Sequence, residues 1–510
     1  MRVELLTTYN EKKISENLKT LFGKLKANVD DKKIDSFVNE LKETFDSYIT
    51  EEMVKYVASA ARLSRSKGTV FDVINLCENK TFEENCKFVT MVANMGHDSI
   101  TDHDYLLFAL QDVSPLVEQT IIAERFSSFT IKSRREVNFK EVGYIVPNFR
   151  NKKGKILSNN ELLKEEFSAY EKTLFDAYGY LVDNGISMED ARFVLPYSYY
   201  SNIIMGVDAH TLKDMIIKLT KTKYSNIAEF KQLGEKLYEI AKKRVPYIIS
   251  SIDKFESTNI DCGEDYLNKK LLKSDKKYQV IDSVKLINSS VDVDGTILIS
   301  AFMRIYQLDY NKAKELYNRL GKADAGFRLN LMRKIVLDSI EKNELTQVNF
   351  QFQIPISFAV LTHMTRHRTH HLLIPDFVPI IDLKQYKIPP KIKGDLAKYF
   401  KDLFNKNYEM YKKFKRAGVC EEDLVYFTLS GNMVNMVTNM NGKTLAHILK
   451  LRECTKAQWE TRQIAIMMHK EIDKVAPILS MTLGATCETR GFCPEGKESC
   501  GRINTIKKDI

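Results

Sequence analysis

Two stretches of the sequence, HDYLLFALQDVSPLVEQTIIAERF (103–126) and VNFQFQIPISFAVLTHMTRHRT (348–369), share one pattern that decides the fold. Each begins with alternating apolar and polar residues, which predicts a half-buried β-strand. A proline then indicates a turn, and an apolar run that ends in charged residues predicts a helix. The same strand–turn–helix unit therefore occurs twice in this chain.

Other segments repeat in the same order on either side of this pair, as expected for two copies of one domain. The matched segments are 1–9 with 278–290, 60–68 with 299–307, 208–219 with 441–452, and 228–246 with 457–477. We therefore predict an α+β fold made of two diverged copies, residues 1–273 and 274–510. An added helical segment is predicted over 10–55 of the first copy.

Length and composition agree with a globular protein of more than one domain. The chain has 510 residues, of which 44% are hydrophobic and 28% charged, and that length exceeds what a single hydrophobic core usually supports. It contains no run of 18 apolar residues, and its start lacks the apolar block of a signal peptide. We expect a cytoplasmic protein with no membrane partner.

The net charge of +10 would suit a polyanionic partner. The lysines, however, are spread through segments with acidic neighbours, which is typical of solvated faces. This distribution argues against a nucleic-acid partner, although a nucleic-acid-binding protein remains an alternative on charge alone.

The eight cysteines are too few for a disulfide scaffold in a chain of this size, so free thiols or metal ligands are expected. Cys487, Cys493 and Cys500 have a spacing compatible with a zinc or redox cluster, but no fourth ligand is evident. His363, His367, His370 and His371 could place two imidazoles on one helix face, yet neither the HExxH motif of a zinc hydrolase nor a separate third ligand with a general base is evident. We predict no metal site.

Several motifs follow one another along the chain. They are GHDSITDH (96–103), ARFVLP (191–196), Arg-His-Arg (366–368), AQWE (457–460) and CPEGKESCG (493–501). Together they resemble the flavin-dependent thymidylate synthases, present here in tandem, and the resemblance covers nearly the whole chain. It implies reductive methylation of dUMP to dTMP, with methylenetetrahydrofolate as one-carbon donor, reduced FAD as hydride donor and NADPH as reductant of the flavin.

The two copies retain different parts of the family pattern. On the nucleotide side, the resemblance assigns Ser133, Arg135, Glu189 and Arg192 in the first copy and Arg452 in the second. On the flavin side, it assigns His103, Arg366, His367, Arg368, Asn441, Lys443 and His447. The second copy has Asp376 and Val378 where the family has its Ser-x-Arg pair, and the first copy has Ala-Glu-Arg (123–125) in place of Arg-His-Arg.

These residue types suit the chemistry that the resemblance implies. Serine and the planar guanidinium of arginine can bind phosphate, so Ser133 and Arg135 are candidates for a nucleotide grip. Arg192 is the predicted catalytic residue, because an arginine near a pyrimidine carbonyl stabilises the negative charge that develops on the ring. Arg452 could instead be a cation that caps a helix. Lys443 stands where the family has arginine and cannot form a bidentate contact.

Family members are homotetramers with sites shared between subunits, so the complementary losses suggest that two tandem chains form a homodimer that acts as a pseudo-tetramer. Ile131 and Glu136 depart from the glutamate and tyrosine of the family pattern. These departures leave two alternatives open: the same chemistry on another pyrimidine nucleotide, or a paralogue that binds nucleotide or flavin without catalysis.

Overall fold

The computed structural model describes residues 1–6, 15–20, 31–124, 126–256, 266–267, 269–271, 279–367, 369–378 and 382–506. Arg125, Arg368 and the predicted seam between the copies at 273–274 lie outside the described residues. Within the described ranges, no helix combines the length and apolar character needed to cross a membrane.

The strands and helices alternate along the chain in a similar order in each half. The elements of the first half are β1 (Arg2–Leu5), α1 (Asp31–Leu63), α2 (Val70–Glu78), α3 (Phe82–Asn94), β2 (Tyr105–Val113), α4 (Pro115–Ile121), β3 (Ser127–Ile131), α5 (Asn160–Asp183), α6 (Met188–Ala191), β4 (Ser201–Asp208), α7 (Ala209–Lys221), α8 (Ala228–Arg244) and α9 (Ile249–Lys254). Those of the second half are β5 (Lys285–Ser289), α10 (Val293–Tyr306), α11 (Tyr310–Ala323), α12 (Phe327–Arg333), β6 (Asn349–Ser357), α13 (Phe358–Thr365), β7 (His371–Leu373), α14 (Gly394–Arg416), α15 (Glu421–Leu424), β8 (Met433–Asn441), α16 (Gly442–Arg452), α17 (Trp459–Val475), α18 (Pro477–Ser480), α19 (Thr486–Arg490) and α20 (Arg502–Ile506).

Short 3₁₀ and π turns connect some of these elements. They lie at Asp98–His103, Arg192–Val194, Lys223–Asn226, Pro246–Ile248, Lys334–Asp338, Asn343–Gln347, Val425–Phe427 and Gly496–Glu498.

Each half forms a four-stranded antiparallel sheet with the same topology. The strand orders are β1-β2-β4-β3 and β5-β6-β8-β7. The two central strand pairs start at equivalent positions, since Tyr105 faces Asp208 in the first sheet and Asn349 faces Asn441 in the second. The predicted α+β fold in two copies is confirmed, and α1 confirms the added helical segment where it is described.

The helices that follow β4 and β8 begin at equivalent caps. The side chain of Asp208 accepts a hydrogen bond from the backbone N–H of Thr211 at 2.7 Å, and that of Asn441 accepts one from Thr444 at 2.9 Å. Each cap satisfies a backbone donor that the first turn of the helix leaves without a partner.

A buried serine–glutamate pair also repeats. Ser114 donates its backbone N–H and hydroxyl to Glu229, at 2.7 and 2.6 Å. Ser357 makes the same two bonds to Glu460, at 2.9 and 2.7 Å. In both copies this pair ties the start of the helix after the second strand to the last long helix.

The prediction that a proline lies between the strand and the helix holds in only one copy. Pro115 is the first residue of α4, where a missing N–H costs nothing. Pro355, by contrast, lies inside β6 opposite Asn435 of β8. The strand tolerates it because the pairing of β6 with β5 extends only as far as Gln353, which leaves that edge open at the proline.

The chain divides into two compact units that do not follow the copies. The first comprises Met1–Ser133, Val142–Pro147 and Ser198–Lys276; the second comprises Arg134–Glu141, Asn148–Tyr197 and Lys277–Ile510. The second unit therefore contains α5 and α6 from the first half of the chain. The predicted boundary between the copies stays a prediction.

Inside the second unit, equivalent segments of the two copies pack on each other. Phe167 of α5 and Phe414 of α14 meet Phe427 edge-on, at centroid distances of 5.5 and 5.1 Å. The backbone N–H of Gly431 donates to the carbonyl of Phe193 at 2.7 Å. A Cβ at Gly431 would lie 2.9 Å from that oxygen, so only glycine permits the approach.

Candidate functional site

Within the second unit, the end of α13, the end of α16 and the short α6 turn bring arginines and histidines into one cluster. We call Arg135, Arg192, Arg366 and Arg452, with His363 and His367, the arginine–histidine cluster. It joins arginines from the first half of the chain to arginines and histidines from the second.

Arg192 is held rigidly although it carries a charge. It is 3% exposed, its Nε donates to the carbonyl of Glu189 at 3.1 Å, and a terminal nitrogen lies 3.4 Å from Nε2 of His363. Burial of the following residues Phe193 and Val194 keeps this turn against the core. The guanidinium is thus positioned beside a histidine of the other copy.

Arg452 lies at the last position of α16 but does not act as a simple helix cap. Its Nε donates to Nε2 of His367 at 3.0 Å, and a terminal nitrogen donates to the carbonyl of His363 at 2.9 Å. Both acceptors are neutral, and within the described part of the chain Arg452 forms no ion pair with a carboxylate. Burial, with Arg366 and Arg135 nearby, lowers the pKa of Arg452 to about 10, so it remains charged at neutral pH.

Arg135 is the member of the cluster that contacts both Glu189 and the loop after α16. It forms an ion pair with Glu189, and a terminal nitrogen donates to the carbonyl of Lys456 at 3.4 Å. Two residues predicted on the nucleotide side, Arg135 and Glu189, therefore lie together. The adjacent Arg134, which the sequence did not single out, is buried with a terminal nitrogen 3.5 Å from the hydroxyl of Thr362.

The histidines of the cluster are held in the neutral form. Burial, then the positive charge of Arg192, keeps the pKa of His363 well below its usual value. Burial and Arg452 lower the pKa of His367 to about 3. Because Arg452 donates to Nε2 of His367, that imidazole carries its proton on Nδ1. The cluster thus concentrates positive charge next to hydrogen-bond acceptors that add none.

A second contact between the copies supports the turn that carries Arg192. Trp459, at the start of α17, donates its indole N–H to the buried carboxylate of Asp190 at 2.8 Å. Its ring stacks on Phe193 with centroids 5.9 Å apart. Sequence reasoning identified AQWE and ARFVLP as motifs but missed their contact, because 269 positions separate the bonded residues.

His370 has a structural role, although it belongs to the histidine-rich stretch. One ring nitrogen lies 2.9 Å from the carbonyl of Met364 and the other 2.9 Å from the hydroxyl of Thr438. Burial lowers its pKa to about 4. Among the described residues, no group of three or more histidine, cysteine or acidic side chains is arranged to hold a metal ion.

The other residues predicted on the flavin side take up varied positions in the second unit. The ring of His447 lies 5.7 Å from that of His367, and Arg366 is close enough to lower the pKa of His367. The side-chain oxygen of Asn441 caps α16, and Lys443 is exposed on the same helix. His103 and Ser133 belong to the first unit, and Arg368 lies outside the described residues.

A cavity of about 480 Å³ borders the cluster in the second unit. Arg135 and Arg452 contribute to its wall, together with the loop after α16, the start of α19 and the segment that ends in α20. Phe492 and Ile503 add apolar surface.

The sequence profile of the family described as "Thymidylate synthase complementing protein" matches residues 48–247 and 285–478, once in each half. The chain is 29% identical over 158 residues to a flavin-dependent thymidylate synthase of Geobacter sulfurreducens, a match that covers 31% of this chain and 64% of that protein. It is 29% identical over 202 residues to the one of Clostridium tetani (36% of this chain, 80% of that protein). For the one of Thermococcus onnurineus the identity is 30% over 195 residues (36% and 78%).

Among solved structures, the UMP/dUMP methylase PolB of Streptomyces cacaoi bound with 5-Br dUMP is similar with a TM-score of 0.35 and 20% identity. This similarity covers 40% of the chain and 92% of PolB. The two profile matches together span more than half of the sequence; the first contains β2, β3 and β4, and the second contains β5 to β8. The chain therefore belongs to the thymidylate synthase complementing protein family, with two family domains in tandem.

Proposed function

We propose that this protein is a flavin-dependent thymidylate synthase that methylates the uracil ring of dUMP to give dTMP. The names of its relatives supply the reaction. The observation that carries the proposal is the arginine–histidine cluster, in which the half-buried Arg452 has neutral hydrogen-bond partners. A partly buried positive charge without a carboxylate partner is costly, and an anionic ligand offsets that cost.

A nucleotide phosphate is the anion that best fits this cluster. Guanidinium groups bind phosphate oxygens through paired, charge-assisted hydrogen bonds. Arg452 and Arg135 both line the cavity beside the cluster, so we propose that the two share one phosphate. Glu189 orients Arg135, and neutral His367 orients Arg452 without competing for the anion. Ser133 is proposed as a further phosphate or sugar contact.

Arg192 is the proposed catalytic residue. Its guanidinium is fixed from both sides, by the carbonyl of Glu189 and by His363, so little reorganisation is needed during reaction. A fixed positive charge next to the pyrimidine stabilises the negative charge that develops on the ring when its C5 becomes a nucleophile.

A flavin also fits the residues present in the second unit. Arg366 and the exposed Lys443 offer positive charge for the FAD pyrophosphate, and the His447 ring lies beside His367. When bound, reduced FAD would supply the hydride, with NADPH reducing the flavin and methylenetetrahydrofolate donating the carbon. Positive charge on the protein would stabilise the anionic reduced flavin. Asn441, Arg368 and His103 remain proposed flavin contacts.

The test is anaerobic turnover of dUMP by the full-length protein, supplied with FAD, NADPH and methylenetetrahydrofolate, with dTMP measured by chromatography. The proposal expects dTMP that depends on all three additions. Bound flavin without any dTMP would refute the proposed activity and favour a paralogue that binds but does not catalyse. Running the assay with UMP in parallel identifies the true nucleotide.

Paired variants test the division between the two sides of the site. Arg192→Gln should weaken dUMP binding and leave flavin binding unchanged, whereas Arg366→Gln should weaken flavin binding more than dUMP binding. The exposed Arg416, at the end of α14, gives the control variant Arg416→Gln, which should change neither. If Arg192→Gln and Arg366→Gln both weaken flavin binding and neither weakens dUMP binding, Arg192 does not belong to the nucleotide side of the site.

A further inference from the structure

His469, in the second half of α17, binds a buried carboxylate next to Arg452, and nothing in the proposed reaction uses it. Its Nδ1 lies 2.7 Å from a carboxylate oxygen of Glu453, and its Nε2 lies 3.1 Å from the carbonyl of Ser480. Glu453 is 6% exposed and directly follows Arg452, the last residue of α16. One imidazole therefore connects the end of α16 to α17 and α18.

Both partners of the ring are hydrogen-bond acceptors, and this fixes its charge state. A carboxylate and a carbonyl each need a donated proton, whereas a neutral imidazole has one N–H to give. The imidazolium form satisfies both. The hydrogen bond to Glu453, with the charges of Glu453 and Asp473, raises the pKa of His469 although burial opposes it. The charged groups that face this ring are thus Glu453 from α16 and Asp473 from its own helix.

The main chain of Glu453 is held by α17 as well. Nε of Arg462 donates to the carbonyl of Glu453 at 3.0 Å. From the segment after α18, the backbone at Gly484 approaches so closely that a Cβ there would lie 3.3 Å from Oε2 of Glu453. The next residue, Ala485, lines the cavity beside the cluster. Glu453 is therefore the point where α16, α17 and one part of the cavity wall meet.

The first copy has the equivalent helices without this arrangement. Arg452, Glu453 and His469 have counterparts there, found by counting from the matching helix caps and the matching buried glutamates. These counterparts are Leu219, Thr220 and Tyr238. The hydroxyl of Thr220 donates to the carbonyl of Ile216 in its own helix at 2.7 Å, and that of Tyr238 donates to Asp253 at 2.9 Å. The copy that lacks the arginine thus lacks the glutamate and the histidine too.

We propose that the imidazolium of His469 is a positioning group for nucleotide binding: through Glu453 it fixes the end of α16, and with it the guanidinium of Arg452 at the cavity. The inference rests on the proposed function and adds a group outside the cluster that regulates the same site. Loss of the ring proton leaves one of the two acceptors without a donor, which releases the end of α16.

The expected pH dependence has a definite sign. Because the pKa of His469 in the folded protein lies above the ordinary value of 6.5, the contact is complete below pH 6.5 and is lost as the pH rises through the raised pKa. The phosphate of dUMP acts in the opposite direction, since its second ionisation at about pH 6 adds negative charge as the pH rises. An affinity that falls above neutral pH therefore reports on the protein and not on the ligand.

The experiment is calorimetric titration of the full-length, FAD-loaded protein with dUMP, and separately with inorganic phosphate, from about pH 6 to about pH 8.5. For the unmodified protein we expect the Kd of both ligands to rise about tenfold above neutral pH, a typical coupling between two sites. His469→Gln carries no charge, so its Kd should be high throughout, without the alkaline loss. His469→Arg keeps a charge and several donors at every pH, so it should bind tightly without the alkaline loss.

Two control variants separate positioning from general destabilisation. Arg462→Gln removes the other contact of α17 with Glu453 but no titrating histidine, so it should weaken binding at every pH and keep the alkaline loss. His97→Gln, at an exposed position of the first unit, should change neither the Kd nor its pH dependence.

Three outcomes would overturn the proposal: a flat pH profile in the unmodified protein, an alkaline loss that persists in His469→Gln, or His469→Arg binding no better than His469→Gln. Binding of inorganic phosphate with the expected pH dependence, but no binding of dUMP, would refute the proposed function and leave this inference standing. Binding of neither ligand at any pH would overturn both.

Discussion

At the scale of residues, the cluster works because its histidines carry no charge. Arg452 binds to a neutral imidazole and a carbonyl, which hold its guanidinium group in place but leave its charge available for a ligand. A carboxylate in the position of His367 would position Arg452 equally well and would compete with phosphate. Neutral partners are therefore part of how the site selects an anion.

Replacing Arg452 with lysine tests how much the planar guanidinium group, with its several N–H donors, contributes to the affinity for dUMP. Lysine retains the charge but cannot donate along the two directions now used for His367 and His363. Loss of one charge-assisted hydrogen bond costs about 2 kcal/mol, so the Kd for dUMP should rise about 30-fold. Calorimetric titration measures it, with Arg416→Lys as the matched exposed control. An unchanged Kd would show that Arg452 does not contact the nucleotide.

The depressed pKa of His367 predicts a specific acid sensitivity. Its folded-state pKa of about 3 lies below the ordinary value of 6.5, under the influence of burial, Arg452, His370, His447 and Arg366. The unfolded chain therefore binds the proton first, and stability present above pH 6.5 is lost as the pH falls towards 3. Between pH 7 and pH 5 this histidine should remove about 2 kcal/mol from the free energy of unfolding.

The variant His367→Gln should lose that part of the pH dependence. Urea unfolding followed by the fluorescence of Trp459, the single tryptophan of the chain, reports on the second unit. The control His97→Gln, at an exposed position of the first unit, should leave the pH dependence of this transition unchanged. Equal slopes for wild type and His367→Gln would contradict the assignment.

At the scale of elements, the buried serine–glutamate pair joins the second strand and its helix to the last long helix. In the second unit Ser357 satisfies Glu460, whose complete burial raises the pKa of the carboxyl group. The equivalent pair in the first unit is Ser114 with Glu229. Because the buried serine–glutamate pair occurs in both copies, we expect it to fix the orientation of the helix after the second strand relative to the last long helix.

Removal of one hydroxyl should destabilise the unit that contains it. Ser357→Ala leaves a buried carboxylate oxygen short of a donor, which costs about 1–3 kcal/mol. The urea midpoint reported by Trp459 should fall for Ser357→Ala and much less for Ser114→Ala, the matched change in the first unit. The opposite order of the two shifts would contradict this account.

The sequence predicted the individual strands and helices better than it predicted the contacts of the site. Alternation and apolar periodicity predicted strands and helices in both copies, because those signals are local. Pro355 misled the prediction, since a proline fits a strand wherever one edge is unpaired. Whether the edge of β6 is unpaired at Pro355 depends on how far β5 extends along it, and the sequence around Pro355 does not show this.

The site was less predictable because its contacts join distant residues. In the sequence His363 was considered only as a possible metal ligand, and only the fold shows it beside Arg192. The bond between Asp190 and Trp459 likewise needs the packing of the two copies within one unit. The family motifs named most of the cluster, while its partners and charge balance required the structure.

For the molecule as a whole, the arginine–histidine cluster formed by the described residues uses both copies. Arg135, Glu189 and Arg192 come from the first half, and His363, His367 and Arg452 come from the second, all within one compact unit. This arrangement supports the proposed homodimer, in which two chains carry four family domains.

The proposed homodimer has a direct test. Light scattering after gel filtration should give a mass of twice 58.9 kDa, independent of loading concentration over the micromolar range. A stable species of 58.9 kDa that turns over dUMP would exclude the pseudo-tetramer. The exposed control variant Arg416→Lys should have the same mass as the unmodified protein.

We propose that the two copies together form a single nucleotide site in each chain. Calorimetric titration of dUMP into the full-length, FAD-loaded protein tests it most directly. We expect one dUMP per chain, and loss of that binding both in Arg192→Gln, from the first copy, and in Arg452→Gln, from the second. Two nucleotides per chain, or full binding after either substitution, would contradict it.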